Sequence, residues 1–437
     1  MKKQKGFAVV FTLAMIGLVL LAGYVFFAVS SNGLRTSATG SDMMRAHYIA
    51  EAGVAKKFLE LKSGNISPIG LTNFQLGTVN GTFQVAVNPQ GGTFTAYKLV
   101  STGKYKKAQR VISFTVSQQP ISSYAYFSDN EDMLIWEGHH SVDYPVWFIS
   151  GDILRGPLHT NDQLNISGDP VFEGPVTSTS STINYYNGGP PADNPDFQSS
   201  LTLSAPAVQL PSQADMITYV RDHAALTVTA DSGTDVTITL LSGGNMTVKH
   251  KVSGTWRTDT KSVATNSSVY VSDHDVYISG VLSGRLTVAT TSNIVITGNI
   301  LYNSDPATNP SSTDLLGLVS QNYVYIDSAA SNNNPNHDLT VDAYIVALNS
   351  FTVESYDTGL KGTLTIYGGI TQDMRGPIGT FNGSTGDRIS GYSKDYNYDT
   401  RLDPAKWPNT LYPPLFPVVK DNVTHLPLYI KIVWNES

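Results

Sequence analysis

At 437 residues the chain exceeds what one hydrophobic core usually supports, and with no cysteine it has no disulfide framework, thiolate metal site or thiol nucleophile. A net charge of -7 repels polyanions, so nucleic-acid binding is confined to a local patch. Charged residues make up only 14% of the chain, and the abundance of glycine, small hydroxyl and β-branched residues favours sheet with tight turns, leaving helix to the N-terminus.

The chain opens MKKQKGFAVVFTLAMIGLVLLAG. Phe7 to Val29 carries no charge and is long enough to span about 30 Å of hydrocarbon as a helix. Lys2, Lys3 and Lys5 keep the leader cytoplasmic. A cleaved secretory signal has a shorter apolar core, about 7 to 15 residues, although Ala28-Val29-Ser30 imitates a cleavage site. Downstream, Ala46, Ile49/Ala50, Gly53/Val54, Phe58 and Leu61 recur at helical spacing, with Arg45, Glu51, Lys56, Lys57 and Glu60 largely off that stripe. One helix is therefore predicted over 7–63, loosened at Gly33 and Gly40 and ending near Ser63-Gly64.

The KKQKG-FAVV junction resembles a type IV prepilin leader, and AEAG at Ala50 to Gly53 resembles the N-terminal segment of PilX-type minor pilins. The resemblance implies a leader over 1–6, cut after Gly6 by a prepilin peptidase that methylates Phe7. It implies an inner-membrane helix with the C-terminus outside, later packed with other pilins in a surface fibre. Most major pilins carry Glu at the fifth mature position, whereas this chain has Phe11, as the K-type pseudopilins of type II secretion lack the acid. That departure implies a tip subunit and speaks against a bulk fibre subunit.

Residues 64–120 switch to period two. Strands are predicted at Thr82 to Val87, Thr95 to Thr102 and Gln109 to Val116, a half-buried antiparallel sheet that the amphipathic helix covers. Lys104, Lys106, Lys107 and Arg110 cluster at one hairpin end, read as a solvated turn.

Residues 121–437 carry a degenerate template: FISGDI, LNISGDP, VYISGVL, IVITGNI and LTIYGGI. Gly at each corner supplies a positive φ, and adjacent copies lie about 17 or 18 residues apart, one rung of a parallel β-helix. An antiparallel sandwich fits the same alternation. The Pro-rich C-terminal stretch is expected to cap the stack. An outgrowth is expected at about 212–271, with a helix at Asp215 to Ala225 capped by Ser212 or Asp215, and a hairpin around Ser242-Gly243-Gly244-Asn245. This region resembles a poorly characterised domain that follows PilX-type N-termini and, more distantly, the solenoid insert of ComZ-type competence minor pilins, which has been linked to DNA uptake.

In the outgrowth Lys249, His250, Lys251, Trp256, Arg257 and Lys261 combine phosphate-binding cations with a stacking aromatic, a candidate nucleic-acid contact against which Asp259 stands. Asp129, Glu131, Asp132, His139, His140, Asp143, His159, Asp162, Asp169 and Glu173 are the acids and bases a β-helix hydrolase would use, without diagnostic spacing. The oxygen-rich loops Asp327 to Asp338 and Asn303 to Asp314 lack calcium-loop patterns. Tyrosine, at 23 copies with runs at Tyr185-Tyr186 and Tyr392, Tyr396, Tyr398, is read as core and corner packing.

The fold expected is mainly β with a long N-terminal helix: a pilin-like helix-plus-sheet, then a right-handed parallel β-helix. The function expected is structural, a tip-located minor pilin or pseudopilin of a type IV pilus or type II secretion-like system. No enzyme activity, cofactor or metal is expected. A ligand-binding tip for DNA or surface glycans is the second reading, and a secreted carbohydrate-active enzyme the third.

Overall fold

The computed structural model describes residues 7–90, 96–118, 120–137, 140–210, 213–406, 412–414 and 429–436. The chain divides into two units, one of residues 1–90, 96–116 and 431–437, the other of residues 91–95 and 117–430.

In the first unit the apolar opening and the amphipathic stretch form one helix, α1 (Phe7–Lys62), uninterrupted at Gly33 and Gly40. Its C-terminus closes as a Schellman motif: the Asn65 N–H donates to Glu60 O at 2.9 Å and the Gly64 N–H to Leu61 O at 2.9 Å, with Gly64 at φ 79°. Ala46, Ile49, Ala50, Val54 and Leu61 are buried on one face, with Phe58 at its margin. Lys57, expected off that face, is buried as well. Its Nζ donates to Ser67 O at 2.5 Å and Asn65 O at 2.7 Å and pairs with Glu60 at 3.1 Å, so the ammonium satisfies the carbonyls just past the helix end.

The sheet beneath the helix holds β1 (Ile69–Leu76), β2 (Val79–Gln90), β3 (Ala96–Tyr105) and β4 (Ala108–Gln118), with β1–β2 and β2–β3 antiparallel. Helix and sheet meet backbone to backbone. Ser101 Oγ donates to Ala50 O at 2.7 Å, and a Cβ added to Gly53 would lie 2.6 Å from that Oγ. The AEAG segment thus places Ala50 and Gly53 where only small residues allow close approach. The basic hairpin faces α1: Lys106 pairs with Asp42 at 3.0 Å, and Arg45 donates to the Tyr105 hydroxyl at 2.7 Å.

The C-terminal stretch departs from expectation. Its strand Tyr429–Glu436 lies beside β4 as the fifth strand of the small sheet, so this strand does not cap the solenoid, whereas Tyr412 and Pro414 accept hydrogen bonds from Arg285 and Thr287 of the coils. Its alternating pattern fits a sheet edge as well as a coil end, which is why sequence alone misplaces it.

In the second unit successive coils pair in parallel, the reverse of a sandwich. Phe148 aligns with Ile166, Ile153 with Val171 and Leu158 with Val176, three columns sharing a step of about 18 residues. Gly151, Gly168, Gly280 and Gly368 take φ of 87°, 73°, 117° and 149° at the template corners, whereas Gly298 does not reach the left-handed region. Gly280 and Gly368 are also needed for space, because an added Cβ would lie 2.2 Å from Leu240 O and 2.0 Å from Ala343 O.

The coils do not stack in chain order. Tyr126–Ser128 pairs with Leu158–Thr160 on one side and with Ile370–Gln372 on the other, and Ile153–Arg155 lies between Val171–Phe172 and Asp395–Asn397. The first coil therefore sits mid-stack, with the last coil laid upon it. The two ends of the stack are the strands Leu201–Thr202 and Leu226–Val228, and between them in sequence the described residues 203–210 run along its side. Ala205 N–H donates to Ser178 O at 2.9 Å and Val208 N–H to Asn161 Oδ1 at 2.8 Å. The helix α2 (Gln213–His223) then buries Met216, Ile217 and Val220 against the core.

The expected outgrowth resolves into three parts: this strap, an end coil and a cap. Val236–Leu241 pairs in parallel with Val276–Leu282, while Asn245–Val252 and Thr255–Ser262 add to it antiparallel. Met246 and Val248 face inward, and the outer strand is largely exposed. The hairpin covers a strand edge that an open stack would leave unpaired.

Candidate functional site

Gly6 lies outside the described residues. Phe7 begins α1, and among the described residues one helix is long and apolar enough to cross a membrane, with none of its apolar stretch buried. Phe26 and Phe27 are 76% and 70% exposed, so among the described residues little covers this stretch.

The basic patch is divided by strand alternation. Lys249 and Lys251 stand opposite Thr258 and Trp256, and Lys249 Nζ sits 5.2 Å above the Trp256 ring. His250 stands opposite Arg257, and Asp259 pairs with His250 at 3.7 Å and Lys261 at 3.5 Å. Side chains on a strand alternate faces, so Lys249, Lys251 and Trp256 share one side of the hairpin and Arg257 and Lys261 the other.

Most of the candidate acids and bases among the described residues are held by the protein itself. His139 lies outside the described residues, as do the side chains of His140 and Asp143. His159 meets Thr177 Oγ1 at 2.7 Å and Asn161 Oδ1 at 2.9 Å and stacks on Phe127, and burial pushes its imidazole below the usual histidine range. Asp162, expected beside it, instead accepts the Glu131 N–H at 3.0 Å. Asp129 accepts from Asn161, Asp132 from Asn165, and Glu173 pairs with Arg155 at 3.1 Å. The Asp169 N–H is held by Ser150 Oγ at 2.9 Å. In the oxygen-rich loops Asp314 accepts the N–H groups of Gly284 at 2.7 Å and Ser304 at 2.8 Å, and Asp327 accepts that of Ala329 at 2.7 Å. Such Asp side chains close turns.

The seam between first and last coils concentrates buried charge. Arg375 Nη1 donates to Glu131 Oε2 at 2.6 Å, and its guanidinium carbon lies 3.5 Å from the Phe148 ring centre. Lys394 pairs with Asp152 at 2.5 Å, Arg155 with Asp395, and Gln372 donates to the Tyr126 hydroxyl at 2.8 Å. Burial raises the Glu131 carboxyl, and Arg375 opposes that rise. Each pair joins residues far apart in sequence, so the seam has a specific polar register.

A groove of about 280 Å³ opens at this seam. Trp147 and Tyr186 form one corner, with ring centres 5.0 Å apart at 86°, and Phe381 stands 5.2 Å from Tyr186 at 73°. Tyr144, Tyr356 and Tyr392 complete the aromatic lining, and Arg388 and Lys394 supply its cations. Among the described residues lining it there is no Asp or Glu. Sequence reading noted Tyr186 and Tyr392 only as packing residues and missed Trp147, Phe381 and Arg388, because coil stacking alone unites them.

A second charged locus lies away from the groove. Asp342 Oδ2 accepts the Tyr302 N–H at 2.8 Å, and burial, with Asp305 and Asp399 nearby, raises its carboxyl to about 6. A folded-state value above the unfolded one favours the fold at low pH, and that advantage is lost as pH rises through 6. Asp342→Asn, which keeps an acceptor for Tyr302, is expected to stabilise the unit at pH 7.5 by on the order of 1 to 2 kcal/mol and to flatten stability between pH 4 and 7. Denaturant titrations across that range read both effects.

The sequence profile of a domain of unknown function, DUF4900, matches residues 79–181, from β2 into the first coils. No curated protein matches the chain. Among solved structures, one titled "Crystal structure of competence-associated pilin ComZ from Thermus thermophilus" is 12% identical, with coverage of 91% of this chain and 98% of that chain and a TM-score of 0.39.

Proposed function

We propose that this chain is a minor pilin-like subunit, made as a single-pass membrane protein and then packed by its helix among other stalks of a type IV pilus or related fibre, with the solenoid presented outside the cell. The observation that carries this reading is the division of α1: an apolar N-terminal stretch that is wholly exposed, then a face buried on an antiparallel sheet. A soluble domain has no use for so large an uncovered apolar surface, whereas a membrane and then a bundle of like helices both cover it. Phe11 in place of the usual acid spares the helix a carboxylate in that apolar setting and supports a place at the tip. The role is structural and non-catalytic.

Maturation tests it. Co-produced with a prepilin peptidase, the chain is expected to begin at N-methylated Phe7, and Gly6→Leu is expected to abolish cleavage while the membrane-bound precursor accumulates. N-terminal peptide mass spectrometry reads both. A mature start near Ser31 would sink the stalk reading.

A further inference from the structure

We propose that the seam groove binds one acidic sugar residue of a surface glycan, with Arg388 receiving its carboxylate and Trp147, Tyr186 and Phe381 holding its ring. Three observations converge. The volume of about 280 Å³ suits one pyranose with room for its substituents, well below what a run of bases needs. The rings of Trp147, Tyr186 and Phe381 meet at 86° and 73°, which makes an angular slot for a single ring and its C–H faces in place of a parallel ladder. The charges are unequal in availability. Lys394 is buried and matched by Asp152 at 2.5 Å.

Arg388 is half-buried and makes no ion pair among the described residues. Among the described residues its hydrogen bonds all run through Nη1, to the carbonyls of Lys361 at 2.7 Å, Gly362 at 3.4 Å and Gly391. Nε and Nη2 remain available as a two-donor fork, the geometry that carboxylates prefer. Burial lowers the guanidinium from its usual value, and the Asp152 carboxylate, already paired with Lys394, opposes this without reversing it. One available cation, with no acid among the described lining residues, selects one anionic group. Single-stranded nucleic acid would need a series of them along its path, against a chain whose net charge is -7.

The site does not depend on how the helix matures, so its failure and that of the stalk reading are separable. The full chain in detergent is titrated with glucuronic- or galacturonic-acid oligosaccharides, with neutral oligosaccharides of the same length, and with an oligothymidylate, by calorimetry. The acidic oligosaccharide is expected to bind at least about tenfold tighter than the neutral one. Arg388→Met is expected to erase that preference while neutral binding persists, and Arg388→Lys to restore part of it. Trp147→Ala is expected to weaken both about tenfold or more with the thermal transition retained. Equal binding of acidic and neutral sugars, no binding of either, unchanged affinity in Trp147→Ala, or Trp147-dependent binding of the oligothymidylate in preference to sugar would each overturn the proposal.

Discussion

Arg375→Met is expected to destabilise the solenoid by about 3 to 5 kcal/mol. Arg375 and Glu131 are 2% and 0% exposed, and their contact at 2.6 Å crosses the seam between first and last coils. Methionine fills much of the same volume against Phe148 but leaves the Glu131 carboxylate without its counter-charge. The orphaned carboxyl then titrates upward, since burial and the nearby Asp162 push it up and only the Ser128 hydrogen bond still opposes them. A raised folded-state value favours the fold at low pH, so the deficit is expected to be larger at pH 8 than at pH 5. Arg375→Met with Glu131→Gln should recover most of the loss, because no buried charge remains unpaired. Denaturant unfolding at the two pH values measures all three variants. A deficit that is equal at both, with no recovery in the double variant, would show that packing on Phe148 and not charge sets the cost.

Gly103→Val is expected to dislodge α1 from its sheet, at a cost of about 1 to 3 kcal/mol or more. A Cβ at Gly103 would lie 2.2 Å from Ala46 O and 2.4 Å from Ala50 N, and both are helix backbone that no rotamer change can move aside. The helix can yield only by lifting, which exposes Ile49, Ala50 and Val54 together. Gly70→Val, where nothing lies within 4 Å of the added atom, serves as the control and should be close to neutral. Calorimetry of the full chain in detergent is expected to show the first unit's transition shifted down in Gly103→Val alone, with the solenoid transition in place. Equal shifts in both variants would mean that strand preference, not contact with α1, governs the site.

What the sequence revealed divides by range. The helix, its Gly64 cap, the strands β2 to β4 of the small sheet and most of the corner glycines are local, because each follows from spacing or from a backbone angle that few residues adopt. Lys57 was misread because periodicity counts its charge and cannot see the carbonyls of Asn65 and Ser67 waiting beside it. The order of coils was not legible at all. Parallel coils present similar apolar edges, so nothing in YAYFSD near Tyr126 says that its neighbour is LTIYGGI near Ile370. The groove inherits that blindness, since Trp147, Tyr186, Phe381 and Arg388 come from coils brought together by the seam. The split of Lys249 and Lys251 from Arg257 and Lys261, by contrast, was readable from strand parity once the hairpin register was known.

The mid-stack position of the first coil has a consequence for biogenesis. A sequentially ordered repeat protein gains stability one turn at a time as it emerges, each new turn settling on a finished one. On the proposed route outside the cell, residues 126–160 cross with one edge waiting for partners at 360–398, which arrive after most of the domain has crossed. That long wait raises contact order and leaves backbone donors open to foreign strands, so export of this chain calls for a holding factor or for slow, dilute delivery.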